Sequence, residues 1–319
     1  MSESNSQTRP IVSLAISPKL TDERESLQQA LNDLASVDPT LRIETGSIDG
    51  RTILCGMGQL QLEVICHRIM QEYKIQLEVG EPKVIYLETI RKNAEAEGKY
   101  IRQIRGRGNY AHVKVRLEPR ERGSGYQFAA EIAEGALLSE FVQAVNLGIQ
   151  EAMKAGILAG HEIVDLRAVL FDGSYHAEDS DEMVFRIVAS TAFKEAARTA
   201  NPVLLEPVMS VEVITSEEFA GAVMHDLNAR RGTIEDMEQR ADSQVIKAIV
   251  PLAEMFGYPA RLRSIARGRT ECSLNFARYE VAPLGGDTGA EEAGVTANKP
   301  KGPKAGSGYA AARLDPEFG

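Results

Sequence analysis

Apolar residues recur along this chain with two periods, two and about 3.6, and the switching between them outlines three successive units of strands and helices. In the first, Ile11-Val12-Ser13-Leu14-Ala15-Ile16 reads as a strand closed by Pro18. Thr21 or Asp22 then caps a helix whose Leu27, Ala30, Leu31, Leu34 and Ala35 follow the spacing i, i+3, i+4, i+7, i+8. Leu41 to Thr45 and Arg51 to Cys55 read as strands joined by a turn across Gly46 to Gly50. A helix from Gln59 carries Leu62, Ile65, Cys66, Ile69 and Tyr73 on one stripe, with His67 off it and facing solvent. Ile75 to Val79 supplies the last strand, and Gly80 and Pro82 end the unit. The order is βαββαβ, enough for a sheet covered on one face by two helices.

The second unit begins near Pro82. Val84 to Ile90 and Lys99 to Ile104 read as extended, a glycine loop from Gly106 turns into His112 to Leu117, and Gly123-Ser124-Gly125 turns into Gln127 to Ile132. Ser139 caps a helix with Phe141, Val145, Gly148, Ile149 and Ala152 inward, ending at Gly156. Ile163 to Phe171 is a strand, and Asp181 to Ala200 a helix apolar over much of its girth (Met183, Val184, Ile187, Val188, Ala192), which predicts deep burial before Asn201-Pro202 stops it. Between them lies Asp172-Gly173-Ser174-Tyr175-His176-Ala177-Glu178-Asp179-Ser180, where Asp179 and Glu182 have the spacing of a helix cap with its reciprocal acid. The third unit repeats the first: strand Pro207 to Thr215, a helix capped by Ser216 with Phe219, Val223 and Leu227, strands Thr233 to Gln239 and Val245 to Val250, a stretch with Met255, Phe256, Leu262 and Ile265, and strand Arg269 to Tyr279. Pro259 fits only the first turn of a helix. From Leu284 onward nothing is periodic, and Gly, Ala, Lys and Pro predict a disordered tail.

Composition narrows the function classes. At 319 residues, 43% apolar and 26% charged, the chain has material for several cores. Its net charge of −10 argues against a protein that coats nucleic acid indiscriminately, so any RNA contact must come from local clusters. Arg102, Arg105 and Arg107 form one cluster and Arg261, Arg263, Arg267 and Arg269 another. No apolar run approaches the ~20 residues of a membrane span, and MSESNSQTRP lacks the apolar core of a secretion signal. Cys55, Cys66 and Cys272 are too widely spaced for a disulfide framework or a C-x-x-C site, and read as buried residues of a reducing, cytoplasmic protein.

The chemistry left over sits in two loops. Gly106-Arg107-Gly108-Asn109-Tyr110-Ala111 has a dinucleotide-like spacing, but a strand follows it where that site needs a helix. No phosphate-binding G-x-x-x-x-G-K-[ST], metal-ligand spacing or G-x-S-x-G elbow occurs, and no histidine has a neighbourhood naming a catalytic partner. Tyr and His rings stack on unpaired bases, Asn and Ser meet 2′-hydroxyls, and Arg and backbone N–H groups meet phosphates. The expectation is that the 106–112 and 172–180 segments meet at one tip and touch RNA.

The residues that carry this chemistry resemble those of bacterial elongation factor G. The resemblance rests on Leu170-Phe171-Asp172-Gly173-Ser174-Tyr175-His176, Pro202-Val203-Leu204-Leu205-Glu206-Pro207, Asp226-Leu227-Asn228-Ala229-Arg230-Arg231-Gly232, Pro251-Leu252-Ala253-Glu254-Met255-Phe256-Gly257-Tyr258, Gly56-Met57-Gly58-Gln59-Leu60 and Gly106-Arg107-Gly108-Asn109-Tyr110, in the family's order. It covers residues 9 to 282 and only the family's third, fourth and fifth domains, without the GTPase domain and the barrel domain. It implies an elongated α+β protein: a ferredoxin-like domain over 9–81, a split βαβ tip domain over 82–203 and a second ferredoxin-like domain over 204–282, with disordered tails at 1–8 and 283–319. It also implies a mechanical function, in which tip loops enter the small-subunit decoding site during GTP-driven translocation of transfer and messenger RNA. The implied tip contacts are Gly106, Arg107, Gly108, Asn109, Tyr110, His112, Gly173, Ser174, Tyr175 and His176. Arg230, Arg231, Arg261, Arg263, Arg267 and Arg269 are the implied ribosomal RNA contacts.

Implied partners are the decoding site, the large-subunit factor-binding centre, the tRNA–mRNA pair and a GTPase half in cis or trans. The chain is expected to be a cytoplasmic monomer that touches no membrane. GTP and magnesium belong to the full-length family, and this chain is expected to hold no cofactor or metal and to hydrolyse no GTP alone. Two alternatives stay open: a ribosome-protection or recycling relative, and an enzyme on the split βαβ fold using His176 as acid or base. Asn109 for a customary glutamine, Ala111 for a glycine and Pro259 for an alanine are departures from the family pattern.

Overall fold

The computed structural model describes residues 9–45, 51–104, 107–133, 135–176, 179–240 and 242–283, all within one unit. The expected tails at 1–8 and 283–319 (apart from Pro283), the turn at 46–50, the loop tip at 105–106 and residues 177–178 of the second loop lie outside the described residues.

The first module comprises β1 (Val12–Pro18), α1 (Arg24–Val37), β2 (Arg42–Thr45), β3 (Thr52–Gly56), α2 (Gln59–Glu72) and β4 (Leu77–Val84). Its antiparallel sheet has the order β2-β3-β1-β4. Leu27, Ala30, Leu31 and Leu34 of α1 and Leu62, Ile65, Cys66 and Ile69 of α2 are buried, as the spacing predicts, and His67 is exposed. Gly80 and Pro82 do not end the last strand, which runs through both to Val84. β4 is an edge strand with a register break opposite Leu14 to Ile16, the setting in which a proline without an N–H is tolerated.

A short strand β5 (Leu87–Thr89) leads to the middle module: β6 (Ala94–Ile104), β7 (Arg107–Pro119), β8 (Gln127–Ala130), α3 (Ser139–Ala155), β9 (Leu166–Ser174) and α4 (Glu182–Thr199). The sheet order is β6-β7-β9-β8, with β8 and β9 parallel across the α3 crossover. Along β7 burial alternates strictly: Ala111, Val113, Val115 and Leu117 face a core shared with α3 and α4, while Tyr110, His112, Lys114 and Arg116 face outward. Phe141 of α3 stacks on Phe185 of α4 with ring centroids 4.6 Å apart.

The two helices meet over Gly148, where a Cβ would fall 2.2 Å from the Arg186 carbonyl oxygen. Gly148→Ala is therefore expected to push α4 outward and cost about 2 kcal/mol in denaturant unfolding, as overpacking of a fixed core does; an unchanged midpoint would contradict this packing.

Several expected features of this module differ in detail. The α4 cap is Asp181, whose carboxylate accepts the Met183 N–H at 2.6 Å, and not Asp179. Met183 and Ile187 are exposed, because α4 buries the stripe Phe185, Val188, Ala189, Ala192, Phe193, Ala196 and Ala197. Ser139 is the first residue of α3, where Leu138 occupies the cap position without a side-chain bond. Gly156 ends that helix at φ 67°, a left-handed backbone value that suits glycine.

The third module comprises β10 (Val203–Ser216), α5 (Glu217–Ala229), β11 (Thr233–Arg240), β12 (Ser243–Pro251), α6 (Tyr258–Ile265) and β13 (Thr270–Val281), in the sheet order β11-β12-β10-β13. This is the arrangement of the first module, and one continuous buried core runs through both. Pro259 lies in the first turn of α6. Ser216 stands at the cap of α5, but its hydroxyl makes no capping bond. Cys55 and Cys66 are buried as expected, whereas Cys272 is half-buried. Burial pushes the Cys55 thiol up to about 12 and those of Cys66 and Cys272 to about 11, so none is a ready nucleophile near neutrality.

Candidate nucleic-acid interface

The pairing of β7 with β9 builds the site. Lys114 is the register partner of Asp172, and His112 that of Ser174. Because side chains on a strand return to the same face every second residue, these pairs form a ladder, and the next step outward holds Tyr110 and His176. Each step is a contact. Lys114 Nζ lies 2.9 Å from an Asp172 carboxylate oxygen, His112 Nδ1 is 3.2 Å from Ser174 Oγ, and the Tyr110 and His176 rings meet edge to face, centroids 4.2 Å apart at 87°. The hydrogen bond from Lys114 holds the Asp172 carboxyl below its ordinary value and raises the lysine in turn.

Backbone bonds fix the end of the ladder. The Tyr110 N–H donates to the Asp179 carbonyl at 2.7 Å. Ser180 Oγ donates to the Tyr110 carbonyl at 2.8 Å and accepts the His176 N–H at 2.9 Å. His176 is exposed, while the neighbouring Tyr175 turns inward, its ring 5.6 Å from that of Phe141. Gly173 is buried, and a Cβ there would lie 2.7 Å from a Leu137 methyl carbon and 3.0 Å from the His112 carbonyl oxygen. A side chain at 173 would pry β9 off the core and tilt the ladder.

The expected tip residues thus divide. Tyr110 and His176 come together at the end of the sheet, with Ser174 and His112 behind them. Asp172, Gly173 and Ser174 belong to strand β9, and Asn109 and Tyr110 to strand β7, where loops were expected, while His112 lies in β7 as the extended reading from His112 to Leu117 predicts. Gly106 lies outside the described residues, and of Arg107 and Gly108 only the backbone is described, at the start of β7. Asn109 is half-buried opposite Arg102. Ala111 occupies an inward strand position opposite Tyr100, which needs no glycine.

Two groups went unnoticed in the sequence. Glu97 of β6 places a carboxylate oxygen 2.9 Å from His112 Nε2, and Ser180 bridges the two segments. Only alternation along β6, with Glu95 and Glu97 on its polar face, hinted at the first. The sequence carboxylate, imidazole, hydroxyl (Glu97, His112, Ser174) is that of a serine nucleophile's relay. Here, however, Ser174 Oγ also pairs with the Tyr110 hydroxyl at 2.8 Å, and Ser174 is a strand residue, not one raised on a sharp turn.

The arginines of the third module divide as well. Arg230 is half-buried and engaged within the module: it pairs with Asp226 at 2.9 Å, stacks 5.0 Å over the Tyr258 ring and donates to the Glu254 carbonyl. Arg231 pairs with the buried Glu206. Arg261, Arg263, Arg267 and Arg269 are exposed on α6 and the turn after it. Arg261 pairs with Asp226 at 3.4 Å and Arg269 with Glu218 at 3.8 Å. Among the described residues, no group of three or more His, Cys, Asp or Glu side chains could hold a metal ion, and no helix is long and apolar enough to cross a membrane.

Comparison with known proteins gives the three modules a family. Family models match in consecutive stretches: elongation factor G domain III over residues 8–81, elongation factor G domain IV over residues 82–201 and the elongation factor G C-terminus over residues 203–285. Among solved structures, one crystal structure of a protein from Thermus thermophilus is similar at 40% identity and a TM-score of 0.68, over 86% of this chain. The chain spans 41% of the length of that protein's chain. Three matched regions in the family's order, on a fold that repeats one βαββαβ sheet on either side of a split βαβ sheet, lead to one assignment: the chain belongs to the elongation factor G family of translation factors, whose third, fourth and C-terminal regions it carries.

Proposed function

We propose that this chain is the ribosome-binding arm of a translocating factor. The Tyr110–His176 end of the middle sheet enters the small-subunit decoding site and holds the tRNA–mRNA pair against slippage. The exposed arginines on and after α6 meet ribosomal RNA at the large-subunit factor-binding centre. GTP and magnesium are held by a GTPase domain acting in cis or trans, and the chain works as a cytoplasmic monomer. The observation that supports this reading best is the ladder itself: a rigid, hydrogen-bonded strand pair ending in one exposed imidazole braced by a tyrosine. Such a tip suits contact with unpaired bases and 2′-hydroxyls, which RNA-binding surfaces meet with aromatic and hydrogen-bonding groups on a fixed scaffold.

A net charge of −10 makes the reading testable, since attraction must come from a few local cations. Co-sedimentation with ribosomes across a salt series is expected to give a log–log slope of about −3 if the four exposed arginines each meet one phosphate, at roughly −0.7 to −0.9 per contact. Replacing Arg263 and Arg267 by glutamine is expected to flatten that slope by about half. A slope of zero in the unaltered chain would remove RNA contact from the account.

A further inference from the structure

We propose that Glu97, His112 and Ser174 form a polar strut that fixes the Tyr110 hydroxyl and, through the Tyr110 ring, sets the orientation of the exposed His176 imidazole. The inference deepens the reading of this tip as an RNA contact and rests on that reading for its consequence.

The direction of each bond follows from the groups present. The Glu97 carboxylate beside His112 Nε2, at 2.9 Å and out of line for an ideal hydrogen bond, draws the ring proton to that nitrogen. Nδ1 then keeps its lone pair and accepts from the Ser174 hydroxyl at 3.2 Å. With its only proton committed, Ser174 Oγ can serve the Tyr110 hydroxyl at 2.8 Å as an acceptor alone, so Tyr110 donates inward. The phenol is thereby held at its far end, while backbone bonds to Asp179 and Ser180 hold its near end. A ring fixed at both ends has one orientation, and His176 packs edge to face against it at 4.2 Å. His112 is mostly shielded, with 15% of its side chain exposed, so it is placed to support the tip from behind and not to touch RNA itself. His112 is on this account a positioning residue, which changes its expected role as a tip contact.

Histidine side chains report the test directly, since the chain has five. Imidazole spectra of the full 319-residue chain labelled at histidine carry a His176 signal displaced by the Tyr110 ring, identified with His176→Gln. Tyr110→Ala gives the position of that signal without the ring. Tyr110→Phe, which keeps the ring and removes only the hydroxyl, is expected to move the His176 signal toward the Tyr110→Ala position, and so is Ser174→Ala. His112→Gln, which loses the acceptor at the Nδ1 position, is expected to do the same, whereas His112→Asn, whose amide oxygen falls near that position, is expected to restore it. The signals of His67, His161 and His225 report that the fold is intact. A His176 signal that stays in place in Tyr110→Phe and Ser174→Ala would overturn the strut, as would equal behaviour of His112→Asn and His112→Gln. The spectra are recorded on the free chain, so their outcome is separate from that of the ribosome titration, whose failure would sink the RNA reading and leave the strut standing.

Discussion

Glu88→Ala is expected to destabilise the chain by about 3–5 kcal/mol, because it orphans four buried backbone donors at about 1–3 kcal/mol each, in part rehydrated. Glu88 is wholly buried. Its carboxylate accepts four backbone N–H groups from the loop after α3: those of Ile157 at 2.6 Å and Leu158 at 2.9 Å on one oxygen, and those of Ala159 at 2.8 Å and His161 at 3.1 Å on the other. Successive N–H groups of this kind form an anion-binding concavity, here filled by a side chain of the same protein. The same residue lies in β5, which pairs with the start of β10 in the third module, and its backbone bonds Glu162 and Val164. Glu88 therefore joins the crossover loop of the middle module to the sheet of the third. Glu88→Gln keeps the shape but sets an NH2 against one of the two N–H pairs, so its loss is expected to be about half as large. Denaturant unfolding of the two variants checks both numbers. A loss below about 1 kcal/mol for the alanine variant would mean that water replaces the carboxylate without cost, against the usual penalty for orphaned donors.

This junction shows what sequence alone conveyed and what it did not. The order of elements was legible because apolar spacing switches cleanly between period two and the helical period, as in Leu27 to Leu34 against Val12 to Ile16. Nothing local marked Glu88, whose partners are some seventy residues away along the chain. A lone acid between Leu87 and Thr89 reads as an exposed strand position until the fold closes over it. Around the tip, Gly173 and Ser174 read as part of a loop segment, yet sheet pairing placed them in a strand. The glycine is there because Leu137 and the His112 carbonyl leave no room for a side chain. The cap of α4 was misplaced because Asp179 and Asp181 both precede the helix, and only the fold shows which carboxylate reaches Met183. Burial of Met183 and Ile187 failed for a related reason: α4 has two overlapping apolar stripes, and packing against β6 and β7 selects one. What brought Tyr110 to His176 was the register of β7 with β9, and the alternation that places them on one face was present in the sequence, two residues at a time.

The second large effect belongs to the tip. His176 is the one imidazole at the end of the ladder, exposed and braced by Tyr110. If it meets a nucleotide, its loss removes a stacking or hydrogen-bonding contact of about 1–3 kcal/mol, the range for ring–base stacking. The contact is proposed to act during movement of the tRNA–mRNA pair, so on this proposal its loss raises the barrier to that step and not to GTP cleavage, which the proposal assigns to a separate domain. At about 1.4 kcal/mol per factor of ten, His176→Ala is expected to slow the step roughly tenfold. Tyr110→Phe is expected to show a smaller loss of the same kind, because the ring remains while its orientation loosens.

The direct test places His176→Ala in an intact factor of this family that carries its GTPase domain, and follows single-round tRNA–mRNA movement and GTP hydrolysis on the same ribosomes. Movement is predicted to be about tenfold slower with hydrolysis unchanged. Equal loss of both rates, or no loss of either, would contradict a tip whose work is mechanical.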